Sequence, residues 1–524
     1  MLLPLSILLA PVLADTLFKS RPDLTIPVWN ISSNYKDQFE NVYDGYVFVT
    51  PYSADTPKIE ESVEQPGAYI YTPSGELVWS SFSYFGGVSL NFQAARIGGE
   101  DVLYGWEGQF SARGGHGFGH IKILNNHYEP VREIKGGDHK LIDIHEFHLA
   151  ENGKTGLIES YSPVQYDLSD FDEDGNSKRS WIVNAVVQEL DIETNELIFE
   201  WKSLDHVSPD HSVLNLTSEL AGDGYTSGSA WDYFHINSVD KNADGDYLVS
   251  SRHTSTIYKI SGETGEILWR LSTSGDSDLK IVGKKFTLGY QHHARFIKRV
   301  DDDVEIFSFF DNNAYSKGHS EPESANPDQL SSGKILKVNN KEKTVELLQQ
   351  FDPPKDHPIS AKSQGSFQFL PNGNKFINWG SAGTITEYNS EGEVLFSAKL
   401  DSFERGPYVQ SYRAFKYQWT GYSTEDIAIV QEDDTVYISW NGDTITETWE
   451  LVDPETKRVI ATSAKTGFET SLKLNHHQGG FIVRALDKNG GVYKESNYGV
   501  SEKSSSILNW LAWKQLFLSA SQLF

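Results

Sequence analysis

Hydrophobic and polar positions alternate over short runs along most of the chain, and turn residues interrupt these runs at close intervals. Residues 231–255 show the pattern most clearly: an aromatic and β-branched run, 233–239, leads through the Asn-, Asp- and Gly-bearing segment 242–245 to a second apolar run, 247–251. Runs of this length and composition around a turn are typical of a β-hairpin. The segment therefore predicts two antiparallel strands joined by a tight turn.

The same hairpin carries polar groups that a strand packed only into a core would not hold. His235 and Asn237 are two residues apart, so their side chains are expected on one face of the first strand. Arg252 and His253 follow at the end of the second strand. Imidazole, amide and guanidinium groups gathered near one hairpin indicate a binding site for an anion.

The hairpin pattern occurs five times, each time as a polar or histidine-bearing strand, a Gly- or Asp-containing turn and a hydrophobic strand. The five copies are residues 90–106, 144–161, 231–255, 290–311 and 364–380. Similar segments, typically a turn residue followed by Glu, apolar residues and an aromatic residue, occur before, between and after the copies at 74–79, 195–201, 264–269 and 391–396. Successive copies begin roughly 55 to 90 residues apart, which exceeds the ~40–50 residues of a compact propeller blade and predicts inserted loops.

Radial repetition of a four-stranded antiparallel unit produces a β-propeller. We predict an all-β fold with a six-bladed β-propeller, its sixth blade closed by the N-terminal strands and residues near 412–422. A solenoid is the rival architecture, but no helical periodicity separates the copies. The innermost strands of a propeller line its central channel. His145, His235 and His292 occupy comparable places in three consecutive copies, so they are expected to converge there.

The pattern changes after residue 424, where short alternating strands are separated by turns. Residues 436–444, 448–452, 468–474 and 480–487 predict a small immunoglobulin- or fibronectin-III-like β-sandwich. The predicted domains are therefore a propeller over 15–424 and a sandwich over 425–500. Residues 501–524 are apolar but contain Lys514 and Gln515, and we interpret them as a tail that is either a docking helix or disordered.

Composition and charge exclude several classes of function. The 524 residues carry a formal net charge of −28, which argues against nucleic acid or an anionic membrane as a partner. There is no cysteine, so disulfides, cysteine nucleophiles and cysteine-ligated metals are excluded. A site for an anion must therefore depend on a few basic side chains held locally within an acidic protein.

The N-terminal residues 1–14 form a short apolar run that ends in Val-Leu-Ala, typical of a signal peptide cleaved after Ala14. The run is too short to be a stable membrane span. Asn30 and Asn215 stand in Asn-X-Ser/Thr sequons and are predicted glycosylation sites if the chain is exported. We therefore predict a secreted, extracellular protein.

Four phrases in order along the chain resemble the arylsulfotransferase family, and specifically its secreted fungal branch. They are Trp-Asp-Tyr-Phe-His-Ile-Asn-Ser, Ser-Ser-Arg-His-Thr-Ser, Thr-Gly-Glu-Ile-Leu-Trp-Arg-Leu and Gln-His-His-Ala-Arg-Phe. The resemblance covers roughly residues 25–500. It implies a six-bladed propeller that moves a sulfuryl group from an aryl sulfate to a phenol by ping-pong transfer through a sulfohistidine. The nucleotide donor PAPS is not used, and no cofactor is implied.

The resemblance also assigns roles to individual residues. His292 matches the nucleophilic histidine, His235 and Asn237 match a His-X-Asn pair, and Arg252 matches the arginine of the Ser-Ser-Arg-His phrase. His145 is the match to the remaining active-site histidine, with His148 close by. The pattern differs at His293, where the fungal phrase usually has Asp.

These residue types suit sulfuryl transfer, because the negative oxygens of a sulfate monoester must be neutralised before attack. Arg252 offers a planar double donor for an oxyanion, and Asn237 and His235 add donors. A neutral His292 is a competent covalent nucleophile. His145 or His235 would exchange protons with the leaving and incoming phenols.

Three other interpretations remain open at this stage. Residues 240–246 resemble the start of a calcium loop, but Ser251 stands where the loop needs Glu, and a hairpin turn is preferred. The three histidines would suit a metal, although the nearby Arg252 would repel it, so no metal is predicted. The alternative function is a secreted, non-catalytic propeller that binds an anionic or aromatic ligand.

Overall fold

The computed structural model describes residues 18–53, 62–111, 115–172, 175, 178–216, 218, 220–314, 329–402, 405–474, 477 and 479–497. These form two compact units, of which the first is Asp23–Ser423 and the second joins Phe18–Pro22 to the chain from Thr424 onward. The predicted signal peptide, 1–14, and tail, 501–524, lie outside the described residues. Regular structure is almost entirely β-strand, so the predicted all-β class is confirmed.

The first unit contains six sheets, numbered in chain order, whose main strands are antiparallel. Sheet 1 consists of β2 (Tyr46–Ser53), β3 (Tyr69–Tyr71), β4 (Leu77–Ser80) and β26 (Val409–Tyr417). Sheet 2 consists of β5 (Val88–Ile97), β6 (Glu100–Ser111), β7 (His116–Asn125) and β8 (Pro130–Ile134). Sheet 3 consists of β9 (Phe147–Ala150), β10 (Thr155–Gln165), β11 (Trp181–Asp191) and β12 (Leu197–Lys202).

The other three sheets follow the same four-strand plan, two of them with an added edge strand. Sheet 4 consists of β13 (Ile236–Lys241), β14 (Tyr247–Ser251), β15 (Thr256–Ile260) and β16 (Ile267–Ser272). Sheet 5 consists of β18 (His292–Arg299), β19 (Val304–Asp311), β20 (Ser332–Asn339) and β21 (Thr344–Phe351), with β17 (Lys280–Val282) added parallel to β21. Sheet 6 consists of β22 (Ser366–Phe369), β23 (Lys375–Asn378), β24 (Thr384–Tyr388) and β25 (Val394–Lys399), with β1 (Asn30–Ile31) added.

The repeats in the sequence correspond to fixed places in these sheets. Each of the five hairpin copies supplies the first two strands of one sheet, from sheet 2 to sheet 6. The four shorter segments lead into β4, β12, β16 and β25, which are the last strands of their sheets in chain order except in sheet 1, where β26 follows β4. In sheet 1, β26 from the end of the unit pairs with β2 from its beginning, in the register Phe48–Phe415. Strands from the two ends of this unit therefore complete one sheet.

Consecutive sheets share their hydrophobic cores. One core joins Trp79 of sheet 1 to Phe92 of sheet 2, and the next joins Trp106 to Phe147 of sheet 3. Similar cores join sheets 3 and 4, 4 and 5, and 5 and 6. Sheet 6 meets sheet 1 along β22 and β26, where Ser366 Oγ donates to the carbonyl of Ala414 at 3.0 Å. Every sheet of this unit thus packs against two others in cyclic order.

Short helical turns connect the strands. They are α1 (Ser203–His206) and the 3₁₀ turns Ser33–Asn41, Gly137–His139, Glu151–Gly153, Ser169–Phe171, Pro209–His211, Ser227–Ser229 and Gly380–Ala382. No helix within the described ranges is long and apolar enough to cross a membrane.

The segment 240–246 contains the end of β13 and the turn that leads into β14. Asn242 Oδ1 accepts the backbone N–H groups of Asp244 and Asp246, which closes the turn. The carboxylate of Asp244 pairs with Arg299 at 2.6 Å and that of Asp246 with Lys259 at 3.4 Å. Because these carboxylates face cationic side chains, the preferred turn interpretation is consistent with the structure.

The second unit contains two sheets with a common core. Sheet 7 consists of β27 (Ala428–Glu432), β28 (Thr435–Ser439) and β31 (Glu469–Lys473), and sheet 8 consists of β29 (Thr448–Val452), β30 (Val459–Ala464), β32 (Ile482–Leu486) and β33 (Val492–Glu495). Ile438 and Leu472 from sheet 7 pack with Trp449 and Val483 from sheet 8. Residues 18–22 belong to the same unit, where Ser20 Oγ donates to Glu469 at 2.6 Å.

Candidate active site

The three histidines of the repeat lie at or just before the N-terminal ends of β9, β13 and β18, in three consecutive sheets. His292 opens β18, His235 directly precedes β13 and His145 stands two residues before β9. His235 has a φ of +52°, so it lies outside the regular strand, and the expectation that it shares a strand face with Asn237 is wrong. Asn237 lies within β13, whereas His235 turns away at its start.

Ring contacts join these histidines into one buried cluster. The rings of His145 and His235 are 4.6 Å apart, and that of Tyr412 is 5.3 Å from His145 and 6.3 Å from His292. On the other side, His253 stacks on His235 at 4.4 Å. All five rings are buried.

His292 is held in one tautomer by two acceptors. Its Nδ1 donates to Asn312 Oδ1 at 2.7 Å and to the Tyr290 carbonyl at 2.9 Å. The lone pair is therefore on Nε2, which faces the backbone N–H of Gln364 at 3.2 Å. Burial and the nearby Arg252 charge hold the pKa of His292 well below its usual value, so the imidazole is neutral.

Arg252 is a buried guanidinium without an acidic partner. Its Nη1 donates to His253 Nε2 at 2.9 Å, and its Cζ atom lies 4.1 Å from the centre of the Tyr290 ring. Its Nε has no hydrogen-bond partner, and no carboxylate of the described residues lies within 4.0 Å of the guanidinium. Burial lowers its pKa from the usual value. Such a group is suited to an oxyanion.

His145 and His235 each form a pair with an aspartate. His145 Nδ1 donates to Asp143 Oδ1, and His235 Nδ1 donates to Asp232 Oδ2 at 2.6 Å. Each aspartate also accepts the backbone N–H of its own histidine at 3.1 Å. These bonds place the imidazole proton on Nδ1, so that Nε2 can accept a proton. Burial lowers the pKa of His235 to about 3, so it is neutral near pH 7.

His116, at the start of β7, joins the two aspartate–histidine pairs. Its Nε2 is 3.0 Å from Asp232 Oδ2, and its Nδ1 is 3.6 Å from Asp143 Oδ2. These two carboxylates raise the pKa of His116 to about 10, despite its burial. Neither this histidine nor the two aspartates were predicted from the sequence. The recurrence of Asp two or three residues before His145 and His235 was a usable signal, whereas His116 belongs to no repeat.

Two overlapping triads in this cluster have the composition of a metal site. They are His116–Asp232–His235 and His116–Asp143–His145, in which one ligand atom from each residue lies within 4.8 Å of the others. The Nδ1 atoms of His145 and His235 are already hydrogen-bonded to the carboxylates. These two bonds leave the Nε2 atoms of His145 and His235 without a carboxylate partner, and neither ring nitrogen of His116 forms a hydrogen bond.

Asn237 supports the strand that carries His292. The side-chain Nδ2 of Asn237 donates to the Gln291 carbonyl at 2.7 Å, and the backbone carbonyl of Asn237 accepts from Arg413 Nη2 at 2.7 Å. Arg413 in turn pairs with the buried Glu146 at 2.7 Å, which Arg295 also contacts at 2.7 Å. Asn237 therefore connects the histidine cluster to a layer of buried ion pairs through one of its two amide hydrogens, while its Oδ1 has no hydrogen-bond partner.

The remaining histidines singled out from the sequence lie away from the cluster. His293 has a φ of +54°, accepts the Phe367 N–H at 3.3 Å and packs on Phe415. His148 pairs with Asp240 at 3.2 Å. Asn30 and Asn215, the predicted glycosylation sites, are exposed, and their modification stays a prediction.

The arylsulfotransferase (ASST) family model matches residues 93–401, which is more than half of the chain. This segment includes His116, His145, His235, Arg252 and His292. No curated protein matches the chain.

Solved structures resemble the chain only distantly. A protein of unknown function from Bacteroides caccae has 11% identity and a TM-score of 0.38 over 72% of this chain and 99% of that chain. The hydrazine synthase of Kuenenia stuttgartiensis has 10% identity and a TM-score of 0.32 over 76% and 90%. The β-propeller domain of Myceliophteria thermophila Cps50 (Swd1) has 11% identity and a TM-score of 0.31 over 68% and 94%.

Proposed function

The chain belongs to the arylsulfotransferase family, and from that premise we propose that it moves a sulfuryl group from an aryl sulfate to a phenol through a sulfohistidine at His292. The transfer needs no PAPS and follows a ping-pong course. We further propose that the protein is a secreted member of the fungal branch. Its six cyclically packed sheets would be the blades of a β-propeller, and its two C-terminal sheets a β-sandwich.

The observation that carries the proposal is a buried guanidinium without a carboxylate partner among the described residues, close enough to a neutral imidazole to lower its pKa. Arg252 keeps its Nε unbonded and meets no carboxylate of the described residues, although burying an unpaired charge is costly. The neutral His292 beside it has its lone pair on Nε2. An anion is the ligand that would satisfy Arg252, and a sulfate ester brings both the anion and an electrophilic sulfur.

The first displacement forms the covalent intermediate. His292 Nε2 attacks sulfur, the nitrogen–sulfur bond forms, and the bond from sulfur to the aryl oxygen breaks with its electron pair on the departing phenolate. Arg252 neutralises the sulfuryl oxygens as charge shifts on them. Asn312 keeps the Nδ1 proton of His292 in place and so directs the attack to Nε2.

The second displacement returns the enzyme to its starting state. The phenolic acceptor gives its proton to Nε2 of His145 or His235 while its oxygen attacks sulfur. The nitrogen–sulfur bond breaks, and His292 is again a neutral imidazole. The proton taken from the acceptor balances the one that the released donor phenolate takes up. The aspartates behind both histidines stabilise the imidazolium that forms.

One contact favours the alternative of a secreted protein that binds an anionic or aromatic ligand without turnover. The Gln364 N–H faces Nε2 of His292 at 3.2 Å, so it competes for the lone pair that attack requires. Catalysis needs Gln364 to release this nitrogen when the sulfate ester binds. A binding protein would have no such requirement.

Intact-protein mass after brief mixing with p-nitrophenyl sulfate distinguishes the two functions. Wild type should gain about 80 Da, one sulfuryl group, with release of p-nitrophenolate, because a ping-pong enzyme accumulates its covalent intermediate when the acceptor is missing. His292→Gln should gain nothing, while His293→Gln, its neighbour outside the cluster, should behave as wild type. A folded wild-type protein that shows neither adduct nor phenolate with several aryl sulfates would support the binding function instead.

A further inference from the structure

The ring of His116 lies between two carboxylates, and no other described side chain contacts both of them. Its ring lies 3.0 Å from Asp232 and 3.6 Å from Asp143, and it packs on Tyr161 at 4.1 Å. His116 comes from sheet 2, whereas Asp143 precedes sheet 3 and Asp232 precedes sheet 4. One imidazole therefore links segments that lead into three consecutive sheets.

Charge explains why a cation is needed at this point. Asp143 and Asp232 are both buried, and neither meets a lysine or an arginine of the described residues within 4.0 Å. Their partners are imidazoles: His145 for Asp143, His235 and His253 for Asp232, and His116 for both. Burial holds the pKa values of His235 and His253 below the usual value, although Asp232 raises them, so both imidazoles are neutral. His116 is thus the group placed to carry the compensating charge.

We propose that His116 is a positioning residue whose imidazolium links Asp143 to Asp232. The link keeps both aspartates ionised, and they in turn hold the protons of His145 and His235 on Nδ1. The Nε2 lone pairs of these two histidines then remain unbonded. The link is an ion pair over the two contacts of 3.0 and 3.6 Å, since neither ring nitrogen of His116 forms a hydrogen bond. Its importance for sulfuryl transfer rests on the proposed function. The pKa of His116, raised to about 10 by the two carboxylates, agrees with this role.

Loss of the link would act on the second displacement more than on the first. Without His116 the two buried carboxylates lose the cation that they share, and one of them is expected to take up a proton. A protonated aspartate donates to its histidine instead of accepting, which moves the imidazole proton from Nδ1 to Nε2. That Nε2 can no longer take the proton of the phenolic acceptor while the phenol oxygen attacks sulfur and the bond to His292 breaks. Attack by His292 on the donor needs no such base.

Nuclear magnetic resonance of ¹⁵N-imidazole-labelled protein tests the link without reference to activity. At pH 8, wild type should show an imidazolium signal that disappears in His116→Gln and persists in His120→Gln. His120 is a matched control, because it lies on the same strand and faces Glu107 outside the cluster. The signals of His145 and His235, assigned by His145→Gln and His235→Gln, should show Nδ1–H in wild type and lose that form in His116→Gln.

Two results would overturn the proposal. One is a neutral His116 at pH 8 in the folded wild-type protein. The other is one equivalent of a divalent metal in purified wild-type protein that is lost in His116→Gln, because the two triads would then hold an ion in place of the imidazolium proton. Elemental analysis of both proteins by mass spectrometry decides this point.

Rapid-mixing kinetics with p-nitrophenyl sulfate and phenol test the consequence for transfer. His116→Gln should keep the initial burst of p-nitrophenolate but lose at least about tenfold in steady-state transfer to phenol, since positioned proton acceptors contribute about 10²–10⁴ in rate. His116→Lys, which restores a cation, should recover part of the loss. Equal loss in burst and transfer, or no loss, would contradict the positioning role. If wild type releases no p-nitrophenolate, the proposed function fails, while the resonance measurement still decides the link.

Discussion

Arg252 and Arg413 are two buried guanidinium groups in the same unit, and their surroundings are opposite. Arg413 pairs with Glu146 at 2.7 Å and donates to the carbonyl of Asn237. Arg252 contacts His253 and the face of Tyr290, and no described carboxylate lies within 4.0 Å of it. Consistent with this, Glu146 raises the pKa of Arg413, whereas burial lowers that of Arg252.

The difference separates a structural cation from a binding cation. Removing a charge from water is costly, and a buried carboxylate partner offsets much of that cost. For Arg413 this desolvation cost is offset by Glu146, so its interactions contribute to holding sheets 1, 3 and 4 together. For Arg252 no described carboxylate offsets the cost, and an anionic ligand is needed to complete its interactions. Four predictions test the comparison, from the largest expected effect to the smallest.

The largest effect is expected from Arg413→Gln. The substitution removes one of the two guanidinium partners of Glu146, and breaking a buried ion pair destabilises a protein by about 3–5 kcal/mol. Denaturant unfolding of wild type, Arg413→Gln and the matched variant Arg252→Gln measures the change in the free energy of unfolding. Arg252→Gln should lose much less, because it leaves no carboxylate unpaired. Equal losses in the two variants would contradict the distinction.

Arg252→Gln should instead abolish most of the activity. Removing one donor to the charge that develops in the transition state lowers kcat by about 10²–10³-fold. Steady-state release of p-nitrophenolate from p-nitrophenyl sulfate measures the effect. Arg252→Lys keeps a positive charge but not the two-pronged donor, so an intermediate rate is expected. Full activity in a folded Arg252→Gln would remove Arg252 from the site.

Lowering the pH should destabilise the histidine cluster around His235 and the buried ion pairs of Glu146 over different pH ranges. The pKa of His235 is about 3 in the folded protein against 6.5 for a free histidine, so the unfolded chain binds more protons between these values. Stability therefore falls as pH drops from 6.5 towards 3. Glu146, with its pKa lowered to about 2 from 4.5, contributes stability above pH 4.5 that is lost as pH falls towards 2.

The variant His235→Gln separates these two contributions. Between pH 6 and 4 it should reduce the pH dependence of the unfolding free energy by about 1.4 kcal/mol per pH unit, the value for one proton. The ionisable side chains that face His235 are Asp232, His116, His145 and His253, so each pH series is measured against wild type. An unchanged slope in this range would show that His235 is protonated in the folded protein.

The smallest effect is expected at His293, the neighbour of the proposed nucleophile. His293→Leu leaves the buried Phe367 N–H without its acceptor, which costs about 1–3 kcal/mol of stability. Activity should stay within about twofold of wild type, because this side chain faces Phe415 rather than the cluster. A large loss of activity with unchanged stability would place His293 in the reaction.

Much of the fold could be predicted because it depends on local and repeated patterns. The five hairpins and the four outer strands of residues 74–79, 195–201, 264–269 and 391–396 were identified from alternation and turn residues, and each is present. Strands β8 and β21 were missed because their phrases lack the Glu-apolar-aromatic pattern. The signal peptide, the domain boundaries and secretion stay predictions.

The site was predicted in part for the same reason. His145, His235 and His292 recur at comparable places in the repeat, and Arg252 follows a recognisable strand end. His116 could not be predicted, because its role depends on two aspartates that lie 27 and 116 residues further along the chain. The turn of His235 out of its strand was also missed, since a positive φ at a non-glycine residue leaves no trace in the hydrophobic pattern.

The sequence alone determined that this chain is built from repeated β-hairpins, because alternation of apolar and polar residues expresses the two-residue period of a strand. It also determined that histidines recur at comparable places in three copies of the repeat. Only the tertiary structure decided which of two buried arginines has a carboxylate partner and which does not. Adjacency in sequence says nothing about this, because the partner of Arg413 is Glu146, 267 residues away. Charge pairing between sheets is a property of the packed sheets. In this protein it distinguishes Arg413, which stabilises the fold, from Arg252, which is left to bind an anionic ligand.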